Sequence, residues 1–152
     1  MEFNPWYVSG FVDGEGSFFV SFSIRSKFLL GVETRPSFTV SQHRRSKKVL
    51  DRLQSFFGCG SIRFNTSDDT YKYEVRSLKD LCEKIIPHFE QYPLASSKLT
   101  DFEKWRIVCV RMQSEEHRTL VGLRDIIALA YQMNGFGARR YTADDLLRMT
   151  GR

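Results

Sequence analysis

Apolar and polar residues alternate with period two in four short stretches, and apolar residues recur at helical spacing in the segments between them. Phe18, Val20, Phe22 and Ile24 alternate with Phe19, Ser21, Ser23 and Arg25, which predicts a strand. A loop near 28–31 follows. Phe38 and Val40 then alternate with Ser37, Thr39 and Ser41. Ile62 and Phe64 alternate with Ser61, Arg63 and Asn65, and after a polar turn Tyr71, Tyr73 and Val75 alternate with Lys72, Glu74 and Arg76. Between the two pairs, Val49, Leu50, Leu53, Phe56 and Phe57 share a helical face, with Ser46 as a candidate cap and Gly58-Cys59-Gly60 as the stop. Asn4 and Pro5 read as the N-cap and first residue of an opening helix that ends at Gly14-Glu15-Gly16. Ser77 and Asp80 make a capping-box pattern ahead of Leu78, Leu81, Cys82, Ile85 and Phe89, and Tyr92-Pro93 breaks that helix. Further helices are predicted over about 98–113 and 119–133, and a short one starts at Thr142 and Asp145.

The order is helix, two strands, helix, two strands, helix, with extra helices at the C-terminal end. This predicts an α+β fold in a single domain spanning 1–152, with an antiparallel sheet whose one apolar face carries the helices. The other face stays open. It would present Phe19, Ser21, Ser23, Arg25, Lys27, Arg35, Ser37, Thr39 and Ser41 from the first pair. The second pair would add Ser61, Arg63, Asn65, Lys72, Glu74 and Arg76.

Charge gives that face a meaning. The chain of 152 residues has a net charge of +5, and the surplus is uneven: residues 17–76 hold eleven basic and five acidic residues. Residues 1–16 hold three acids (Glu2, Asp13, Glu15) and no Lys or Arg. A basic centre beside a small acidic opening points to a polyanionic partner and a local site for a cation. Hydroxyl side chains among the cations suit the donors and acceptors on base edges. With 41% apolar and 27% charged residues the chain reads as globular and not disordered. No apolar run reaches the ~18 residues of a membrane span, and Glu2 stands where a signal peptide would carry a cation. No membrane partner and no secretion are expected, and the compartment is expected to be a cytoplasm or an organellar matrix. Cys59, Cys82 and Cys109 lack zinc-ligand spacing, and His43, His88 and His117 do not complete a set. They are expected to be reduced, packed thiols.

The opening helix carries the chemistry. Gly10 and Gly14 lie four apart beside Ser9 and Asp13, although glycine inside a helix costs ~1 kcal/mol relative to alanine. A face without side chains lets another helix approach closely. Ser9, Gly10, Asp13 and Gly14 are therefore expected at such an interface. Asp13 and Glu15 lie where the helix ends, next to unsatisfied carbonyls, which suits a hard cation with oxygen ligands. Two residues apart on a helix they diverge by roughly 200°, so one ion does not take both. Glu15 is the better ligand, and Asp13 is placed to bond a neighbouring helix start.

The stretch Val8-Ser9-Gly10-Phe11-Val12-Asp13-Gly14-Glu15-Gly16, followed by Ser17-Phe18, resembles the name motif of the LAGLIDADG homing endonucleases. Ser37-Phe38-Thr39-Val40-Ser41-Gln42 is similar to the family's second strand, and Gly58-Cys59-Gly60 to its helix-to-strand turn. Tyr92-Pro93-Leu94 with Lys98 and Asp101-Phe102 is similar to its late helix start. The resemblance covers nearly the whole chain. The chain holds one such motif: Leu120-Val121-Gly122-Leu123-Arg124-Asp125 mimics its beginning, but no second acid follows.

The resemblance implies a homodimer, with motif helices packed at a two-fold axis, acting on a long near-palindromic site in double-stranded DNA. It implies cleavage of both strands, β-ribbons lying in the major groove, and a role in intron homing. A strand of ~9 residues spans ~30 Å, about nine base pairs per half-site. It implies Mg²⁺ (or Mn²⁺) held by Glu15 and its dimer mate with help from the Gly14 carbonyl, and no organic cofactor. Ca²⁺ is expected to support binding without efficient cleavage. Gln42 would position water, Lys98 would support charge developing on phosphate, and Arg44, Arg45, Lys47 and Lys48 would grip backbone phosphates. The alternative on the same fold is a non-cleaving RNA maturase or a DNA-binding regulator. A protein-interaction domain would leave the one-sided basic sheet unexplained.

Overall fold

The computed structural model describes residues 3–133 and 139–150 of the chain. The elements are α1 (Pro5–Glu15), β1 (Gly16–Ile24), β2 (Val32–His43), α2 (Lys47–Phe57), β3 (Ser61–Asn65) and β4 (Thr70–Val75). They continue as α3 (Leu78–Asp80), a π-helical turn (Leu81–Ile85), α4 (Ile86–Gln91), α5 (Lys98–Gln113), α6 (Leu120–Ala130) and α7 (Ala143–Met149). The four strands form one antiparallel sheet in the order β1-β2-β4-β3. The chain divides into two compact units, one of Met1–Phe18 with Ser37–Leu99 and one of Phe19–Pro36 with Thr100–Arg152.

The first unit is organised around Phe38. Its ring lies 5.3 Å from Phe18, 5.8 Å from Phe57 and 5.8 Å from Phe89, centroid to centroid. Val8 and Val12 of α1, Leu50 and Leu53 of α2, and Tyr73 of β4 are fully buried with it. Burying one such side chain is worth about 1.5–3 kcal/mol, so these positions fix where α1 lies. Asn4 caps α1 by accepting from the Trp6 N–H. At the other end the Gly16 N–H donates to the Val12 carbonyl, and a Cβ on Gly16 would come within 2.6 Å of the Val12 side chain. Only glycine lets the chain turn so tightly from α1 into β1.

In the second unit Val32, Leu123, Ile127 and Leu146 form a buried cluster flanked by Phe22, Leu30, Tyr131 and Tyr141. The buried Trp105 donates its indole N–H to the Phe19 carbonyl. The motif-like run 120–125 is the start of a core helix here, capped by Thr119, with Leu123, Ile126 and Ile127 buried.

Several expectations change. β2 begins at Val32, well before the alternation that announces it, because Thr34 and Pro36 hold inward positions where an apolar residue was expected. Residues 32–37 lie beyond the β4 register, where a missing N–H is tolerated. Phe64 was expected in the core but is 43% exposed, since β3 is an edge strand, and its ring packs on Tyr71 instead. Leu120 lies at the exposed first turn of its helix. Ser46 makes no side-chain cap. His43 caps the preceding 3-10 turn (Arg44–Ser46) by accepting from the Arg45 N–H.

Candidate nuclease site

The end of α1 gathers the acidic residues of the motif. The two carboxylates take different jobs, as their divergence around the helix requires. Asp13 turns to the segment before α5. It accepts from the backbone N–H of Ala95 (3.0 Å) and of Ser96 (3.0 Å), and from the Ser96 hydroxyl. Burial by itself would raise the Asp13 pKa. The Ser96 hydroxyl, the two backbone N–H groups and the Lys98 charge outweigh that and hold it below the ordinary carboxylate range. Asp13 is thus a capping group and not a free ligand.

Glu15 is exposed at the last position of α1. Its carboxylate accepts a hydrogen bond from the Gln42 side-chain amide at 3.1 Å. None of the ion pairs among the described residues involves it. Gln42 shares the inward parity of the buried Phe38 and Val40, while Ser41 and His43 are exposed. The same amide donates to the Ser41 carbonyl at 2.8 Å, which fixes its orientation. Lys98 Nζ donates to the Val12 carbonyl at 3.1 Å. A cation at a helix C-terminus is favourably placed against the helix dipole, and here it stands within one turn of Glu15. Glu15, Gln42 and Lys98, chosen from three distant parts of the chain, therefore converge on one helix end.

That end suits a hard cation in part. Glu15 offers carboxylate oxygens, and Gly14 adds a main-chain oxygen in the last helical turn. Among the described residues no three His, Cys, Asp or Glu side chains gather as a metal set. A cation held there would need phosphate, water or a second copy to complete its oxygen shell.

The expected interface is corrected in one member. Ser9 does not share the open face: it is 2% exposed, donates to the Tyr92 carbonyl at 2.6 Å and lies 3.1 Å from His88 Nε2. With the Ser9 proton so placed, His88 is the donor to Ser9. Burial pushes the His88 pKa down to about 4, so the ring is neutral. Asp13 is committed to its cap. Gly10 and Gly14 are exposed, and a Cβ on either would meet nothing within 4 Å. Tyr7 (51% exposed) lies on the same face at helical spacing, an apolar addition that the motif does not announce.

The outer strand faces are polar in each unit. In the first, the register sets out rows across β2, β4 and β3: Thr39–Glu74–Ser61, Ser41–Lys72–Arg63 and His43–Thr70–Asn65. His43 belongs here, and its parity with Ser41 was the available signal. Ser37 and Arg76 continue the face by the same parity. Arg44 and Arg45 follow in the exposed 3-10 turn, where the Arg44 N–H is tied to the Asp69 carbonyl. Lys47 instead pairs with Asp51 at 3.0 Å. In the second unit, Glu33 bridges Arg25 (2.9 Å) and Arg35 (3.5 Å), which orients both guanidiniums and removes one net charge. The irregular start of β2 hid Glu33 from the pattern. Ser21 donates to the Arg35 carbonyl, while Ser23 is half-buried and Lys27 exposed beyond it. Phe19 is not open: the Arg139 guanidinium covers its ring at 4.5 Å. No described helix is long and apolar enough to cross a membrane.

Comparison with known proteins gives a consistent answer. The family model described as LAGLIDADG endonuclease matches residues 8–109. The protein named "Probable intron-encoded endonuclease 3" of Neurospora crassa is 34% identical over 132 residues, covering 86% of this chain and 25% of the relative. The crystal structure of the homing endonuclease I-TnaI superposes with a TM-score of 0.86 at 38% identity, covering 98% of this chain and 97% of that one. I-SmaMI bound to an uncleaved DNA target in the presence of calcium ions superposes with a TM-score of 0.86 at 34% identity, covering 90% of this chain but 47% of that one. The chain spans between about a quarter and a half of the first curated relatives it matches. With its motif helix, its sheet and its overall fold all matched, the chain belongs to the LAGLIDADG endonuclease family.

Proposed function

We propose that this chain is a site-specific double-stranded DNA endonuclease of the homing type that works as a homodimer, one α1 against the other. The observation that carries this reading is the end of α1: an exposed carboxylate, Glu15, held by Gln42 and flanked by Lys98, beside a helix face kept open at Gly10 and Gly14. Two such ends brought together by a two-fold axis put one carboxylate near each of two scissile phosphates. The superposition on I-SmaMI bound to a DNA target supports duplex DNA as the partner.

In this reading Glu15 and the Gly14 carbonyl would hold Mg²⁺ or Mn²⁺. A divalent cation there would neutralise phosphate charge and ease the loss of a proton from water to solvent, which leaves hydroxide as the nucleophile. Gln42 orients the Glu15 carboxylate, and its side-chain oxygen, the group its two N–H bonds leave over, would accept from a nearby water and hold it in place. Lys98, anchored on the helix end, lends positive charge to the phosphate as its charge grows. The outer strand faces hold the duplex. Arg44 and Arg45 contact the backbone, and the cross-strand rows face base edges.

The test is a library of duplexes carrying a randomised segment, incubated with the protein and Mg²⁺, with the cut ends sequenced. A related set of near-palindromic sites cut on both strands supports the reading. Tight, selective binding with no cut ends would favour the alternative, a DNA-binding regulator or maturase.

A further inference from the structure

We propose that Glu74 selects a base bearing an exocyclic amino group, cytosine above all, at one defined place in each half-site. The inference rests on the DNA reading given above. Glu74 lies on the outer face of β4, directly opposite Thr39 of β2 and Ser61 of β3. It is half-buried, and its two cross-strand neighbours are short and neutral. Cations stand in the next row of the same face, where Lys72 lies opposite Ser41 and Arg63. Yet no ion pair among the described residues involves Glu74, Lys72, Arg63 or Arg76.

A carboxylate on a surface that meets phosphates works against binding unless it accepts hydrogen bonds there. An ionised carboxylate accepts and cannot donate. In the major groove guanine offers O6 and N7 and thymine offers O4, all acceptors that repel it. Adenine offers its N6 amino group, but with the N7 acceptor beside it. Cytosine offers N4–H without an adjacent acceptor on the same base. Glu74 therefore rewards cytosine and rejects guanine and thymine, which makes it a source of specificity through repulsion as well as attraction. The row of Lys72 and Arg63 is rich in donors and suits guanine. Two residues along a strand advance ~6.6 Å, about two base-pair steps, so the selected cytosine and guanine positions lie about two base pairs apart.

The experiment is selection of duplexes from a randomised library by the intact protein in EDTA, so that nothing is cut, followed by sequencing of the bound pool. Wild type is expected to show a cytosine position about two base pairs from a guanine position. Glu74→Gln should move the first preference to adenine, because an amide pairs with N6 and N7 together. Glu74→Ala should flatten it by roughly 5- to 150-fold while tightening binding to unrelated DNA. The guanine position should persist in both variants, which shows that the protein is folded and docked. Unchanged preference at every position in both variants overturns the assignment of Glu74. Failure of the wild type to retain any duplex overturns the DNA reading itself, and the inference with it.

Discussion

Replacing Gly10 by leucine separates the stability of the chain from its pairing. In the free chain the substitution has room, since a Cβ at Gly10 would meet nothing within 4 Å. Leucine also has the better helix propensity, by up to ~1 kcal/mol. The melting temperature of the monomer, measured for both proteins in dilute solution, should therefore stay level or rise slightly. In the paired state both copies carry the leucine, and both side chains enter the same seam. Overpacking costs roughly 1–3 kcal/mol at each, so about 2–6 kcal/mol for the pair, a factor of about 30 to 20,000 in the dimer dissociation constant. Size-exclusion chromatography with light scattering over a concentration series reads the pairing, and plasmid conversion from supercoiled to linear reads two-strand cutting. On the proposed pairing, the wild type should run as a dimer and the variant as a monomer that loses the linear product although Glu15 is untouched. A variant that pairs and linearises plasmid like the wild type refutes the interface. A variant that is less stable than the wild type in dilute solution, where both run as monomers, shows that Gly10 faces something within its own chain.

Glu15→Gln keeps the shape and the Gln42 contact but loses the charge that holds a cation, so cutting should vanish while duplex binding persists; normal cutting would remove Glu15 from its role. Wild type in Ca²⁺ should bind its site without efficient cleavage, read by gel shift and product analysis side by side, because the longer and looser Ca²⁺ shell places the phosphate poorly. Ser9→Ala strips the Tyr92 carbonyl and His88 of their partner in a buried place, and should lower unfolding free energy in urea by about 1–3 kcal/mol. His88 gives a pH signature. Its folded pKa of about 4 lies below its unfolded value, so the unfolded chain binds the extra proton, and stability falls as pH drops from about 6.5 to about 4, by at most ~3 kcal/mol. Asp13, held low, adds a loss of the same sign in stronger acid. Denaturation at pH 7 and 4.5 in wild type and His88→Phe checks this: the variant should show the smaller drop, and equal drops would discount His88.

The amino-acid sequence by itself determined the element order, because period two and period 3.6 are written directly in side-chain polarity. It also determined that Asp13 and Glu15 must diverge, since the helix fixes their angle, and it pointed to Glu15 as the candidate ligand for a cation. Caps such as Asn4, Thr142 and Asp145 were legible because a local hydrogen bond needs only local residues. What needed the tertiary structure was whatever depends on partners far along the chain. That Ser9 turns inward was set by His88 and Tyr92, about eighty positions away, and no spacing rule within α1 could announce it. The aim of Lys98 at the Val12 carbonyl and of Ser96 at Asp13 depends on how the segment before α5 returns to α1. The edge position of β3, which leaves Phe64 in solvent, follows from the strand order and not from the strand's own alternation. Glu33 and the rows through Glu74 and Lys72 exist only once a register is chosen, because the same side chains in another register would face different neighbours. Periodicity assigns a residue to a face. Only packing decides which neighbours it meets there.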